Sequence, residues 1–230
     1  IENDGCNTID PSIQPYPKRI QDITTEEIIE IVKNAGISGM GGATFPTYAK
    51  IQSALGKVQH LIVNCAECEP YITANHRLLL ENPAAVINGV KILMRALGLR
   101  KAEIAVEDNK LDAINKLEEH LAGSDIISVK IMKTKYPQGG ERSLIYAVTK
   151  RRLNSKKLPA DVHCIVHNID TVYAIYDGNR AVYRTINRVG LMRHGFTNED
   201  MHAIHAVYSA VFRGGEGTVS ERLAKVRKDV

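Results

Sequence analysis

No stretch of the 230 residues approaches the roughly 20 consecutive apolar residues that a membrane-spanning helix needs. The opening residues, Ile1-Glu-Asn-Asp-Gly5, hold no basic stretch leading into an apolar run, so no signal peptide is visible. The first residue is not methionine, which reads as a fragment or a processed product. Cysteine is scarce. Cys6, Cys65, Cys68 and Cys164 suggest a reducing compartment rather than a disulfide scaffold. Cys65-Ala-Glu-Cys68 has metal-ligand spacing, but no second such pair completes a tetrahedral site, so two small residues at a strand end is the preferred reading. His202 and His205 lack an obvious third ligand and read as a solvated or packed helix face. A nucleophile–base pair is also missing, which argues against a hydrolytic site. Nothing points to a nucleic-acid partner.

What is present is an ordinary globular composition, 44% hydrophobic and 24% charged. That length buries a real core, as one large domain or two smaller ones. The charge is uneven. Residues 178–230 hold nine Lys/Arg against five Asp/Glu, and residues 1–177 hold 21 of each, so the net +4 belongs to the tail. Such a shift marks a candidate boundary.

Residues 1–22 are polar and proline-bearing, and read as extended. Thr24 to Ala35 reads as a helix: Thr24 and Glu27 have capping-box spacing, and Ile28, Ile29, Ile31 and Val32 supply an apolar face. His60 to Asn64, Ala102 to Val106, Ile126 to Met132 and His163 to His167 read as strands. Between them fall a helix from Pro83, capped by Asn82 and ended by Gly98, a helix from Lys110 to Leu121 ended by Gly123, and one from Ser143 to Lys150. A further helix starts at Thr171. The alternation predicts an α/β fold, a mainly parallel sheet flanked by helices. From about Arg184 no strand is evident, and Met201 to Val211 and Val219 to Val226 suggest a small C-terminal helical appendage.

Three loops carry the chemistry. The first, Gly36 to Lys50, packs Gly36, Gly39, Gly41 and Gly42 into seven residues and then starts a helix with Lys50 on its first turns. Bare backbone can approach a ligand closely, and amides beside a lysine and a helix N-terminus suit phosphate. A helix, not a strand, precedes this loop, and Thr44 stands where a further glycine is expected, so a dinucleotide-binding Rossmann turn does not fit. The second loop supplies Asn64, Glu67 and Glu69, groups suited to the hydrogen-bonding edge of a flavin or to ribityl or ribose hydroxyls. The third supplies Tyr136, Gly139, Gly140 and Glu141, with Tyr136 able to cover a ring face. Glu107 to Asn109 ends another strand. Asn64 to Glu69, Glu107 to Asn109 and Tyr136 to Glu141 fall at carboxyl ends of parallel strands, where α/β sheets place ligands, and the three loops converge on that edge.

These motifs, Gly39-Met-Gly-Gly-Ala-Thr-Phe-Pro-Thr with Lys50, Asn64-Cys-Ala-Glu-Cys-Glu-Pro, Glu107-Asp-Asn-Lys and Lys135-Tyr-Pro-Gln-Gly-Gly-Glu141, resemble the C subunit of the Rnf electron-transport complex over about residues 1–176. They are more distantly similar to the NADH-binding flavoprotein subunit of respiratory complex I. The resemblance implies an α/β domain that binds FMN, accepts hydride from NADH and works with other subunits of an ion-translocating complex, peripheral on the cytoplasmic face of a bacterial membrane. It assigns Gly39, Gly41, Gly42, Lys50, Asn64, Glu67, Glu69, Glu107, Tyr136, Gly139, Gly140 and Glu141 to the cofactor site. Three departures stand out: Thr44 replaces the family's usual glycine, Asn75-His76 replaces a pair of acids, and the C-terminal cysteine repeats that hold the family's iron–sulfur clusters are absent from this sequence.

The tail, with Asn187-Arg-Val-Gly-Leu-Met-Arg-His-Gly-Phe196 and Phe212-Arg-Gly-Gly-Glu-Gly-Thr, resembles the C-terminal helical part of UDP-N-acetylglucosamine O-acyltransferase over about 178–230. That implies a basic surface for acyl carrier protein or for self-association, with Arg193 the best-matched basic residue and His194 in place of a second arginine. The chain thus reads as two truncated families joined near Tyr176–Gly178, whether by natural fusion, deliberate chimera or faulty gene assembly, with domains at 1–176 and 177–230.

Overall fold

The computed structural model describes residues 18–154 and 156–177, with the isolated positions 197, 199, 203 and 206. The expectations for residues 1–17, Arg193, His202, His205 and the tail helices lie outside the described residues. The chain divides into two units, and the one built by the elements below spans Tyr16–Ala181.

The elements in chain order are α1 (Thr25–Asn34), α2 (Thr47–Ala54), β1 (His60–Cys65), α3 (Ala74–Glu81), α4 (Pro83–Leu97), β2 (Ala102–Glu107), α5 (Leu111–Leu121), β3 (Ile127–Met132), α6 (Glu141–Thr149), β4 (Cys164–Asn168) and α7 (Ile169–Asp177). The four strands form one sheet in the order β3-β2-β1-β4, and every neighbouring pair is parallel. The capping box of α1 is formed, with Thr24 Oγ1 accepting from the Glu27 amide at 3.2 Å and Glu27 Oε2 accepting from the Thr24 amide at 2.9 Å. Gly98 ends α4 in the left-handed conformation, as its position predicts.

Strand order explains the layering. The chain steps from β1 outward to β2 and β3, then returns across the sheet to β4. Parallel crossovers share one hand, so reversing the direction of travel puts the returning helix on the opposite face. α4 and α5 accordingly pack with α1, α2 and α7 on one face, over Leu61, Val63, Ala102, Ile104, Val106 and Ile165. α6 lies on the other, where Leu144 and Ile145 meet Ile62, Ala105, Cys164 and Val166. Each fully buried Leu or Ile contributes about 1.5–3 kcal/mol of burial free energy, so the first face dominates stability. α7 presses close to α4: a Cβ on Gly89 would lie 2.2 Å from the Val172 carbonyl oxygen.

One local expectation needs correction. Asn82 does not cap α4 through its side chain; α3 runs almost directly into α4, and Asn82 instead donates its own amide to the Leu78 carbonyl at 2.9 Å. α3 itself has no local start signal, because Thr73 makes no capping bond. Its first amides are satisfied from a distance by Glu67.

Candidate functional site

The first loop joins α1 to α2 and is pinned at its base. Gly39 N donates to Phe45 O at 2.8 Å and Thr47 N to Ile37 O at 3.1 Å. Met40 N donates to Thr171 Oγ1 at 2.9 Å, tying the loop to the first turn of α7. Gly41 has φ 72°, and a Cβ there would meet Asn168 Nδ2 at 2.9 Å, so this position needs glycine twice over. Residues 40–43 form a tight turn, and Gly42 has open space where a side chain would be. Thr44 adopts φ 56°, a left-handed conformation that glycine takes more easily.

Lys50, in the first turn of α2, points its Nζ at the carboxyl end of β4. It donates to Val166 O at 2.6 Å and lies 3.4 Å from Glu141 Oε1 at the start of α6. The ammonium thus joins the first loop to the third. Neighbouring His167 is buried with Nε2 unpartnered, and burial, reinforced by the Lys50 charge, lowers its pKa to about 3, so its imidazole is neutral.

Asn64 ends β1 and ties the second loop to the third. Its Nδ2 donates to Gly139 O at 2.8 Å and its Oδ1 accepts from the Ala66 amide at 3.1 Å. Gly139 is packed so tightly that a Cβ would sit 2.3 Å from the Ala66 carbonyl oxygen, and its amide donates to Cys68 Sγ at 3.4 Å. Gly140 is the residue before α6. Tyr136 precedes Pro137 across a cis peptide bond and is largely exposed.

Glu67 is buried and accepts from the amides of Asn75 at 3.0 Å and His76 at 3.3 Å, so its carboxylate caps α3. Around it lies a network that the sequence did not single out. Asn75 Nδ2 donates to Asp170 Oδ2 at 2.9 Å, Asn168 Nδ2 donates to Asn75 Oδ1 at 3.2 Å, and Asn168 Oδ1 accepts from the Asp170 amide at 2.8 Å. The readable signal was the run of polar residues, Asn168, Asp170 and Thr171, opening a helix directly after a buried strand. Burial raises the Asp170 pKa, the Asn75 amide lowers it and the Glu67 charge raises it further.

Glu107, at the end of β2, is fully buried, and neither carboxylate oxygen has a hydrogen-bond partner. Burial raises its pKa, offset in part by a weak approach of the Lys135 backbone amide, short of full hydrogen-bond geometry, and by the Lys110 charge. It lines a cleft of about 230 Å³ together with Glu67, Cys68, Glu69, Lys110 and Thr134. The same loops therefore build two adjoining places at the carboxyl edge. One is the crevice between β1 and β4, where strand order reverses, with the glycine loop, Lys50, Asn64, Gly139 and Glu141. The other is the acidic cleft beyond β1 and β2, with Glu67, Glu69 and Glu107. No group of three or more metal-ligating side chains forms among the described residues.

A parallel α/β unit with bare backbone, a lysine and polar groups gathered at its topological switch point belongs to the class of cofactor-binding domains. Residues 32–177 match the family model of the Nuo51 FMN-binding domain, and the chain belongs to that family. It is 45% identical over 176 residues to the C subunit of the Na+-translocating ferredoxin:NAD+ oxidoreductase complex of Acetobacterium woodii, covering 76% of this chain and 40% of that protein. It is 40% identical over 200 residues to the C subunit of the proton-translocating ferredoxin:NAD+ oxidoreductase complex of Clostridium ljungdahlii, covering 86% of this chain and 43% of that one. The chain thus spans less than half the length of these relatives. An NAD+-reducing [NiFe]-hydrogenase, in its air-oxidized state, shares the fold with a TM-score of 0.60 at 24% identity, covering 69% of this chain and 30% of that one. Residues 171–230 match the model of UDP N-acetylglucosamine O-acyltransferase domain 2.

Proposed function

We propose that residues 1–176 form an FMN-binding domain that takes electrons from NADH within an ion-translocating oxidoreductase complex, peripheral on the inner face of the membrane. The observation that carries this reading is the meeting of the glycine loop, Lys50 and the Gly139–Glu141 turn at the switch point of the sheet. Membership in the Nuo51 FMN-binding family and the names of the relatives from ion-translocating complexes support it.

The residues fit the group. The bare glycine turn, with open space at Gly42, and one ammonium suit the FMN phosphate, and the buried carboxylate of Glu107 suits a hydroxyl or ring N–H donor. FMN, when bound, supplies an acceptor for a hydride that can release its electrons singly. Gly39, Gly41 and Gly42 shape the backbone around the phosphate. Asn64 and Gly139 lock the second loop to the third, and Glu141 holds Lys50 in place. Glu67, engaged with α3, positions the second loop, while Glu69 on that loop and Tyr136 on the third are exposed. His167, neutral and buried, adds no charge of its own beside Lys50.

Reconstitution with FMN tests the reading. The expected result is stoichiometric flavin that loses its visible absorbance when NADH is added without oxygen, and at least tenfold weaker flavin retention in Lys50→Ala. Protein that folds cooperatively yet retains no flavin would overturn it. For the tail, separated at 176/177, the family match is the sole support, and the acyl-carrier-protein reading through Arg193 is not favoured.

A further inference from the structure

Between Glu141 and Asp161 the chain carries Arg142, Lys150, Arg151, Arg152, Lys156 and Lys157 and not one carboxylate. Nothing in the cofactor site uses this run. α6 buries Leu144 and Ile145 against the sheet and leaves Tyr146 46% exposed on its outer side. Lys150 Nζ lies 5.8 Å and Arg152 Cζ 5.7 Å from the Tyr146 ring centre, so two cations stand over one aromatic ring. Arg142, Tyr146, Arg152 and Leu153 wall a shallow, open depression of about 310 Å³. Leu158, just beyond Lys156 and Lys157, is 71% exposed. Arg151 is spent on structure, donating to Val162 O at 2.8 Å and Gln59 Oε1 at 3.0 Å. The other five cations form no ion pair with a described residue.

We propose that this face docks on anionic phospholipid headgroups. The inference rests on the reading above that the domain serves an ion-translocating complex, because translocation requires a membrane. No described helix is long and apolar enough to cross one, so attachment through the described part of the chain must be peripheral. Unpaired cations without intervening acids supply the attraction to negative lipid. The exposed Tyr146 beside Lys150 and Arg152, and the exposed Leu158 next to Lys157 in sequence, supply tips that enter the headgroup layer. An acidic protein partner would satisfy the charge equally. It would leave unexplained why apolar side chains stand out from an open surface instead of framing the deep pocket that protein hot spots fill. Each cation at an anionic surface is worth about fivefold in partitioning.

The test is sedimentation of the full chain with phosphatidylcholine vesicles containing about one-third phosphatidylglycerol, against phosphatidylcholine alone, at low and high salt. Binding to the anionic vesicles only, released by salt, is expected, with about 100-fold weaker partitioning in the R142Q/K150Q/R152Q variant. The Y146S/L158S variant should bind several-fold more weakly with its salt dependence unchanged. Failure of the wild type to prefer anionic vesicles overturns the proposal. So does equal binding by the triple variant, which would assign the attraction to the basic tail, and so does capture by an acidic protein that anionic vesicles cannot displace. Flavin retention measured on the same preparations separates the two readings. Lost flavin with intact, patch-dependent vesicle binding removes the cofactor assignment alone, and retained flavin without vesicle binding removes the lipid face alone.

Discussion

The two faces of the sheet are unequal. One is covered by α1, α2, α4, α5 and α7 and holds most of the buried apolar side chains. The other is covered by α6 and the chain leading to β4, with a small core around Ile62, Ala105, Leu144 and Ile145. The glycine loop and α2 come from the thickly covered face, and the Gly139–Glu141 turn comes from the thin one. They meet at the carboxyl edge through Lys50 and Glu141. Stability is thus concentrated on one side, while the site depends on both. A domain arranged this way can lose its site geometry without unfolding.

The largest expected effect lies in the thick core. Leu93→Ala, at a fully buried position of α4, should cost about 3–4 kcal/mol, and Ile145→Ala on the thin face about 2–3 kcal/mol, because fewer layers surround the cavity. Equilibrium denaturation of both checks the asymmetry, and equal losses would break it.

Next comes pH. The folded pKa of His167 is lowered from 6.5 to about 3, so the unfolded chain binds the extra proton first. Its contribution is fully present above about 6.5 and is lost as pH falls toward 3. The His167 contribution should fall by about 1.4 kcal/mol per pH unit below 6, roughly 1.6 kcal/mol between pH 6.5 and 5, offset in part by Glu107 and Asp170, whose raised pKa values act in the opposite sense. His167→Gln should flatten that slope in denaturation curves recorded across the range.

Gly139→Ala should cost about 1–3 kcal/mol by forcing the third loop off the Ala66 carbonyl. Flavin retention should fall by more than the stability loss accounts for, and a proportional fall would mean the edge is no more than core. The smallest effect is expected at Thr44. Thr44→Gly relieves a left-handed threonine and should gain about 0.5–1 kcal/mol, read as a rise in midpoint temperature of a few degrees at most.

Much of this was legible beforehand because it depends on neighbours in sequence. The capping box of α1, the left-handed stop at Gly98 and the four short apolar strands follow from spacings of a few residues. Segments 64–69, 107–109 and 136–141 follow strands, as the alternation of strand and helix predicts, whereas the glycine loop joins two helices and is tied to that edge through Lys50. What escaped notice depends on distant partners. α3 was missed because its cap, Glu67, lies outside the local window and Thr73 contributes nothing. Asn168 and Asp170 were passed over because their partner Asn75 is more than ninety residues away. The amides of Asn64 and Gly139 read as ligand groups in the sequence, yet each also holds one loop to another.

The sequence by itself determined the architecture and the inventory: a parallel α/β unit, bare glycine backbone, a lysine on the following helix, and acids and amides at strand ends. These follow from backbone propensity and the alternation of apolar runs, which act over a single turn or strand. Only the tertiary structure decided which of those groups are spent on the fold and which face a ligand. Lys50 is held by β4 and α6, Glu67 is consumed by α3, and Glu107 alone among the assigned acids is buried without a partner. Desolvation and pairing are set by whatever packs against a group, and the fold brings those neighbours from 8 to 116 residues away.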